Sequence, residues 1–312
     1  MSAADPGGAL NSAGTSRVRE APMSKPVFWR DPALPHVELR KVDDGRSVCY
    51  APHAHAEWSM GAIVRGESSF VCGHRRYHVE AGTLVLINPE WVHACNPLEG
   101  GPWAYLMLYI DAQWLAGLRC RLGLVRTPEW QDLAPDVMRS PAVFEAFVGL
   151  AACLLDPAPS AARKNARLVA FLSDILPRLA VCEAARTAPA RLSAVADYLD
   201  AHCAGDVSLD ALCRRADVSP GHLIRSFKRY FRMTPHAYAI NRRVRLGQRA
   251  LRNGSPIADA ALESGFSDQA HFQRMFKRLL AATPGQYRQP SVDEEEDATA
   301  REQGGEHAIH RA

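Results

Sequence analysis

The chain has 312 residues, 47% hydrophobic and 23% charged, with a formal net charge of +3. Two domains fit this length at about 100 to 200 residues each, and the composition excludes a disordered, collagenous or coiled-coil protein. No window approaches eighteen uninterrupted apolar residues and the first 25 lack the apolar core of a secretory signal, so the expectation is a cytoplasmic protein with no membrane span.

Residues 1–25, rich in Ala, Gly, Ser and Pro, read as a disordered tail. Between 26 and 110, short apolar or alternating runs at 37–39, 59–64, 68–72, 83–87 and 104–110 are punctuated by Gly, Pro and Asn, which predicts a compact all-β domain. From 111 to 186 the chain turns Ala- and Leu-rich with helical spacing at Leu168, Phe171, Leu172, Ile175, Leu176 and Leu179. This helical segment either braces the β domain or forms a dimer contact. Residues 187–190 read as a linker, 191–290 as an all-α domain, and 291–312 as an acidic tail. The eight cysteines lie ten or more residues apart with no C-x-x-C pair, which points to reduced thiols rather than disulfides or a cysteine zinc site.

The modest net charge conceals an asymmetry. Residues 191–290 hold 16 Lys and Arg against 8 Asp and Glu, so this segment carries +8 and the remainder −5. A polyanion is the partner such a segment suits, although an arginine-rich solvated helical face has the same composition. Inside it, FKRYFRMTPHAY (227–238) and FKRLLAATPGQY (276–287) agree at six of twelve positions with an offset of 49 residues, an internal repeat. Each copy follows the same plan of helix, tight turn and second helix. Ser208 caps the first helix of one unit, Asp217 makes its turn, and Ser219-Pro220 opens its second helix. In the other unit Ser255-Pro256 opens the first helix, Gly265 makes the turn and Ser267 caps the second. Glycine, and aspartate among few others, tolerates the left-handed geometry such a turn needs. In the second helices Leu223 with Phe227, and Phe272 with Phe276, share an inward face at i, i+4. Arg225 and Arg274, each two residues on from the first of its pair, must therefore point outward. An outward arginine on such a helix can bond guanine O6 and N7 or hold a phosphate.

With ADVSPGHLIRSFKR (216–229), TPHAY (234–238), SGFSDQAHFQRMFKR (264–278) and TPGQYR (283–288), the segment 191–290 resembles the DNA-binding domain of the AraC family of bacterial transcription factors. The resemblance implies two helix-turn-helix units joined by a long helix spanning 235–252. It further implies base reading by Gly221, Ile224 and Arg225 from the first unit, and by Gln269, Ala270, His271, Gln273 and Arg274 from the second. Gly221 has no side chain and Ile224 offers only an apolar contact, so Arg225 dominates the first helix. Arg232 and Ala281 stand where the family usually has a glycine after each recognition helix, which leaves the local turns open. Arg242, Arg243, Arg245 and Arg249 crowd the joining helix as either phosphate contacts or a solvated basic face.

The β region carries His53-Ala54-His55, then Trp58, Met60, Ile63 and Gly66, and later Gly82, Pro89 and His93, and is similar to the cupin-like sensor barrel that often precedes such a DNA-binding domain. The resemblance implies an effector-binding interior with His53, His55, Trp58 and His93 as its candidate residues. Trp91, Trp103 and Tyr105 either stack on a ligand or pack the barrel. Histidines two apart on a strand face one side, and His93 from a distant strand completes three imidazoles, as in metal-dependent cupin enzymes. Glu57, two residues after His55, is too close for the acid of that enzyme motif, so no metal or cofactor is expected. The fold class expected is therefore multidomain: an all-β cupin-like barrel with following helices, then an all-α domain with two helix-turn-helix units. The function expected is an effector-sensing regulator, with double-stranded promoter DNA, an unidentified small molecule, RNA polymerase and a second copy of the chain as partners. A metal-dependent cupin fused to a DNA-binding domain and a constitutive nonspecific DNA binder are the alternatives.

Overall fold

The computed structural model describes residues 25–98, 101–182 and 188–288. The expected tails lie outside these residues, apart from residue 25. The β region forms strands β1 (Val27–Trp29), β2 (Val37–Val42), β3 (Trp58–Cys72), β4 (Arg75–Glu80), β5 (Leu84–Ile87), β6 (His93–Pro97) and β7 (Trp103–Ile110). Strands β8 (Leu133–Ala134), β9 (Val137–Met138) and β10 (Ala180–Val181) are two-residue additions, and every pairing is antiparallel.

Strand β3 organises the barrel. The two runs expected at 59–64 and 68–72 are one 15-residue strand, bent by a bulge between Ile63 and Arg65 and by Gly66 at φ +75°. A Cβ at Gly66 would fall 1.5 Å from the Pro102 carbonyl oxygen, so only glycine allows the bend. Its first half pairs with β7 and β5 and its second with β4 and β6, which puts one strand in both walls. Ile63, Phe70, Val79, Val85, Ile87, Cys95, Trp103 and Tyr105 fill the space between the walls. The opposite face of the strand, Trp58, Met60 and Ala62, packs beneath α2 (Pro141–Leu155) and α3 (Ala161–Ile175), against residues such as Phe147, Leu150, Leu168 and Leu172. Full burial of each such side chain contributes about 1.5 to 3 kcal/mol. These helices, together with α1 (Ala112–Arg121), therefore cover the barrel's outer wall.

The basic segment folds into α4 (Ala190–His202), α5 (Leu209–Ala216), α6 (Pro220–Phe231), α7 (Pro235–Arg252), α8 (Ile257–Glu263), α9 (Gln269–Leu280) and α10 (Pro284–Arg288). Helices α5 and α6 form one helix-turn-helix unit and α8 and α9 the other, with Asp217 (φ 51°) and Gly265 (φ 82°) both left-handed at equivalent turns. Arg232 and Ala281 also adopt positive φ, at 58° and 48°, so each turn keeps the shape a glycine would give it. Ser208 caps α5 by accepting from the Ala211 N–H at 3.2 Å, and Thr234 caps α7 in the same way. Two caps shift by one residue from expectation. Asp268 rather than Ser267 caps α9, accepting from the His271 N–H at 2.7 Å while Ser267 donates to Asp268; α8 opens at Ile257 with Pro256 in the cap position. A carboxylate serves the dipole of α9 better than a hydroxyl.

Gly265 is the tightest point of the second unit. A Cβ there would lie 2.3 Å from the Ala204 carbonyl oxygen at a φ that L residues already resist. Gly265→Ala is expected to cost about 2 kcal/mol or more in urea unfolding, whereas Asp217→Gly at the matching turn is expected to be neutral or slightly stabilising.

Candidate DNA interface and effector pocket

Each recognition helix has a buried face and an open one. Leu223, Phe227, Phe272 and Phe276 are fully buried, which fixes the rotation of α6 and α9. On the open side of α6, Gly221 and Arg225 are exposed and Ile224 is half-buried; on α9, Gln269, Ala270, Gln273 and Arg274 are exposed. His271 is half-buried, its ring edge-on to Phe266 at 5.2 Å, so it offers less to a base than its neighbours. The Arg225 guanidinium folds back over Gly221, where a Cβ would lie 3.2 Å from its Nη1. Gly221, which reads nothing itself, thus gives Arg225 room. The open faces also carry Lys228, Arg229, Lys277 and Arg278, all exposed, which the motif comparison did not single out.

The arginines of α7 are mostly committed elsewhere. Arg242 pairs with Glu90 of the barrel at 2.6 Å and with Asp200 of α4 at 2.6 Å, and Arg245 pairs with Glu90 at 2.8 Å. Arg243 donates to the Cys203 and Gly205 carbonyls, closing the end of α4. Of the four, Arg249 alone is exposed and has no partner among the described residues.

The barrel and the second helix-turn-helix unit share a seam. Phe28 of β1 enters the core of that unit and meets Tyr287 edge-on at 5.1 Å. Glu38, buried at 7% exposure, accepts from Arg30 at 2.6 Å and from Arg252 at 2.9 Å. Burial alone would raise its carboxyl, but Arg252 first and Arg30 next outweigh it and hold the group below its ordinary value. Arg40 is 2% exposed and donates to the Leu280 and Ala281 carbonyls at 2.5 and 3.2 Å, capping the negative end of α9.

Three of the four residues expected to face an effector come together, and the fourth does not. The His53 and His93 rings lie 4.3 Å apart and those of His55 and His93 4.8 Å apart, with Tyr109 edge-on to His55 at 5.3 Å. Each imidazole gives its Nδ1 proton to a backbone carbonyl: His53 to Ala51, His55 to Glu57 and His93 to Trp91. That fixes the neutral tautomer with Nε2 as acceptor. Burial drives the pKa of His55 and of His93 down to about 3, and that of His53 well below its ordinary value. Trp58 faces the other way, beneath α2 and α3, because ahead of the bulge at Ile63 the even positions of β3, Trp58, Met60 and Ala62, point out of the barrel. Trp103 and Tyr105 belong to the packed interior, while Trp91 sits at the rim and donates from Nε1 to Asp132. Among the described residues no group of three or more His, Cys, Asp or Glu side chains is arranged to hold a metal ion.

The space beside these histidines is small. The barrel cavity lined by Tyr50, His53, His93, Tyr105 and Tyr109 holds about 20 Å³, roughly one water. An adjoining cavity of about 40 Å³ lies on the seam, between His53, His55 and Arg40 on one side and Asn241, Arg245 and Arg252 on the other.

A barrel with a histidine-lined interior, seated on paired helix-turn-helix units with exposed recognition faces, defines a two-domain DNA-binding transcriptional regulator. Residues 36–176 match the family model of the AraC-like ligand binding domain, and residues 212–290 match that of a helix-turn-helix domain. The chain belongs to the AraC family of transcriptional regulators. It is 26% identical over 246 residues to YbfI, an uncharacterized HTH-type transcriptional regulator of Bacillus subtilis, across 77% of this chain and 87% of that one. Over 92 residues it is 38% identical to the right origin-binding protein of Escherichia coli, covering 29% of this chain and 32% of the relative. Its fold is similar to that of apo ToxT from Vibrio cholerae, with a TM-score of 0.51 at 12% identity over 81% of this chain and 96% of the other. No helix among the described residues is long and apolar enough to cross a membrane.

The depressed Glu38 carboxyl makes the seam acid-sensitive in a defined direction. Its stabilisation is complete above the ordinary glutamate value and is lost as pH falls through the lowered one. Glu38→Gln is expected to cost about 1 to 3 kcal/mol at neutral pH and to flatten the acid limb of a melting-temperature profile. Equal acid sensitivity in variant and parent would show that Glu38 does not set the seam.

Proposed function

We propose that the chain reads promoter sequence through α6 and α9, with Arg225 and Arg274 as the principal base readers. Ile224, Gln269, Ala270, Gln273 and His271 assist them, and Gly221 makes room for Arg225. The observation that carries this reading is the matched pair of arginines, each exposed on a helix whose opposite face is locked by two fully buried side chains. Lys228, Arg229, Lys277 and Arg278 flank the readers as phosphate contacts, which position without specifying. In this reading the protein is a cytoplasmic regulator rather than an enzyme, and a homodimer on paired half-sites contacts RNA polymerase.

The barrel senses a small molecule beside His53, His55 and His93, whose Nε2 atoms accept hydrogen bonds from it. Cavities of about 20 and 40 Å³ cannot hold such a molecule as they stand. Binding therefore requires the seam against α7 to widen, which ties occupancy to the placement of the DNA-reading half. Trp58 has no place in this site, since it packs beneath α2 and α3.

Recovery and sequencing of genomic fragments bound by the full chain at two salt concentrations tests the reader. A few sites sharing a repeated or asymmetric motif are expected, and diffuse recovery that vanishes at higher salt would favour a nonspecific binder. On a recovered site, Arg225→Ala or Arg274→Ala is expected to lose about 1 to 3 kcal/mol of discrimination at one base position. Equal weakening on all sequences would reduce these arginines to phosphate contacts.

A further inference from the structure

Away from the seam, a cleft of about 720 Å³ runs between α6 and the barrel rim formed by β3, β4 and β6. Five cationic side chains line it: Arg225, Lys228, Arg229 and Arg232 from the helix-turn-helix unit, and Arg76 from β4. No carboxylate among the described residues lines it. The barrel side otherwise contributes neutral groups such as Ser69 and Asn96. Arg76 donates to the Ser69 hydroxyl at 3.2 Å and Arg232 to His74 Nδ1 at 3.4 Å, while Arg225, Lys228 and Arg229 have no hydrogen-bond or ion partner among the described residues.

This contrasts with the rest of the boundary between the two halves. Where α7 meets the barrel, Glu90 answers Arg242 and Arg245, and Glu38 answers Arg252. At α6 the barrel instead sets Arg76 across from four more cations. Like charges facing across a cleft repel, and the protein walls concentrate the positive potential inside it. A multivalent anion converts that repulsion into attraction. Guanidinium forks match phosphate oxygens in pairs, so a phosphate-bearing molecule fits better than a halide or a single carboxylate. The volume accommodates a diphosphate-bearing small molecule, whereas a duplex could present only the edge of one strand.

We propose that this cleft binds phosphate groups between Arg76 of the barrel and Arg225, Lys228 and Arg229 of the first recognition helix, with a diphosphate-bearing anion as its small-molecule occupant. Such an occupant engages Arg225 and so competes with DNA for it; this consequence rests on the base-reading role of Arg225, but the binding itself does not.

The test uses the full chain, with inorganic pyrophosphate as probe and orthophosphate for comparison, followed by calorimetry at low and moderate salt without DNA. Saturable binding of one pyrophosphate per chain is expected, weakened about tenfold or more by Arg76→Ala and only partly restored by Arg76→Lys. Arg163→Ala, an equal charge loss at an exposed position on distant α3, should leave it unchanged. In a second arm with a bound genomic fragment, pyrophosphate should displace DNA from the parent at concentrations that leave the Arg76→Ala complex intact, which identifies a small molecule as the occupant. If Arg76→Ala instead weakens binding of every DNA sequence alike and lowers the salt dependence by about one phosphate contact, the phosphates are those of DNA. Absence of saturable pyrophosphate binding together with unaltered DNA affinity in Arg76→Ala would overturn the proposal, as would an equal effect of Arg163→Ala. Because the first arm contains no DNA, its failure is separable from a failure of sequence reading.

Discussion

A buried carboxylate holds the two halves of this protein in register. Glu38 is tied to Arg30 on its own side of the seam and to Arg252 at the end of α7, with the Tyr287 ring packed 4.1 Å under the Arg30 guanidinium. Removing two arginines and a glutamate from water is expensive, and the arrangement is tolerable because the charges neutralise one another at hydrogen-bonding distance. Once they do, the neighbouring contacts become possible. Phe28 enters the core of the second unit, Arg30 caps the Tyr287 carbonyl, and Arg40 closes the end of α9. Arg40 itself has no carboxylate within hydrogen-bonding distance among the described residues; the negative end of α9 and the rings of Tyr50 and Tyr105 stand in for one.

The two helix-turn-helix units were legible because each rests on local chemistry. Left-handed turns select Asp217 and Gly265, prolines open helices, and the i, i+4 apolar pairs fix which face is buried, all within a dozen residues of chain. Even the caps erred by only one position, since Ser267 and Asp268 are both capable acceptors and the choice depends on the backbone angle at the turn. The barrel was less legible. Strands β4 and β6 carry too few apolar residues to stand out, with Val79 the only buried residue of the first and a proline ending the second. The side taken by Trp58 was hidden for a different reason. Both faces of β3 are buried near its start, with Ser59, Gly61 and Ile63 turned to the barrel and the more apolar Trp58, Met60 and Ala62 turned to α2 and α3, so alternation could not say which was the barrel interior.

The seam could not be read from the sequence. Glu38 and Arg252 are 214 residues apart, and no local pattern distinguishes a glutamate that will meet an arginine across a domain boundary from one left in water. The same holds for the α7 arginines. Their crowding fitted phosphate contacts and a solvated basic face equally, and the structure gives Arg242, Arg243 and Arg245 to Glu90, Asp200 and backbone carbonyls instead.

The grip of the barrel on its two readers is unequal. The second unit is held by buried charge, a buried aromatic and two capped helix ends. The first meets the barrel through Ala54, Val92 and Met233 and through Glu90, whose side chain remains 44% exposed. An ion pair with one partner that open to water contributes little, about 0 to 1 kcal/mol, and weakens further with salt. Helix α7 is continuous through both units, so any displacement of the DNA-reading half moves them together. The barrel's hold on that helix is therefore weakest at the Glu90 end and strongest at the Glu38 end.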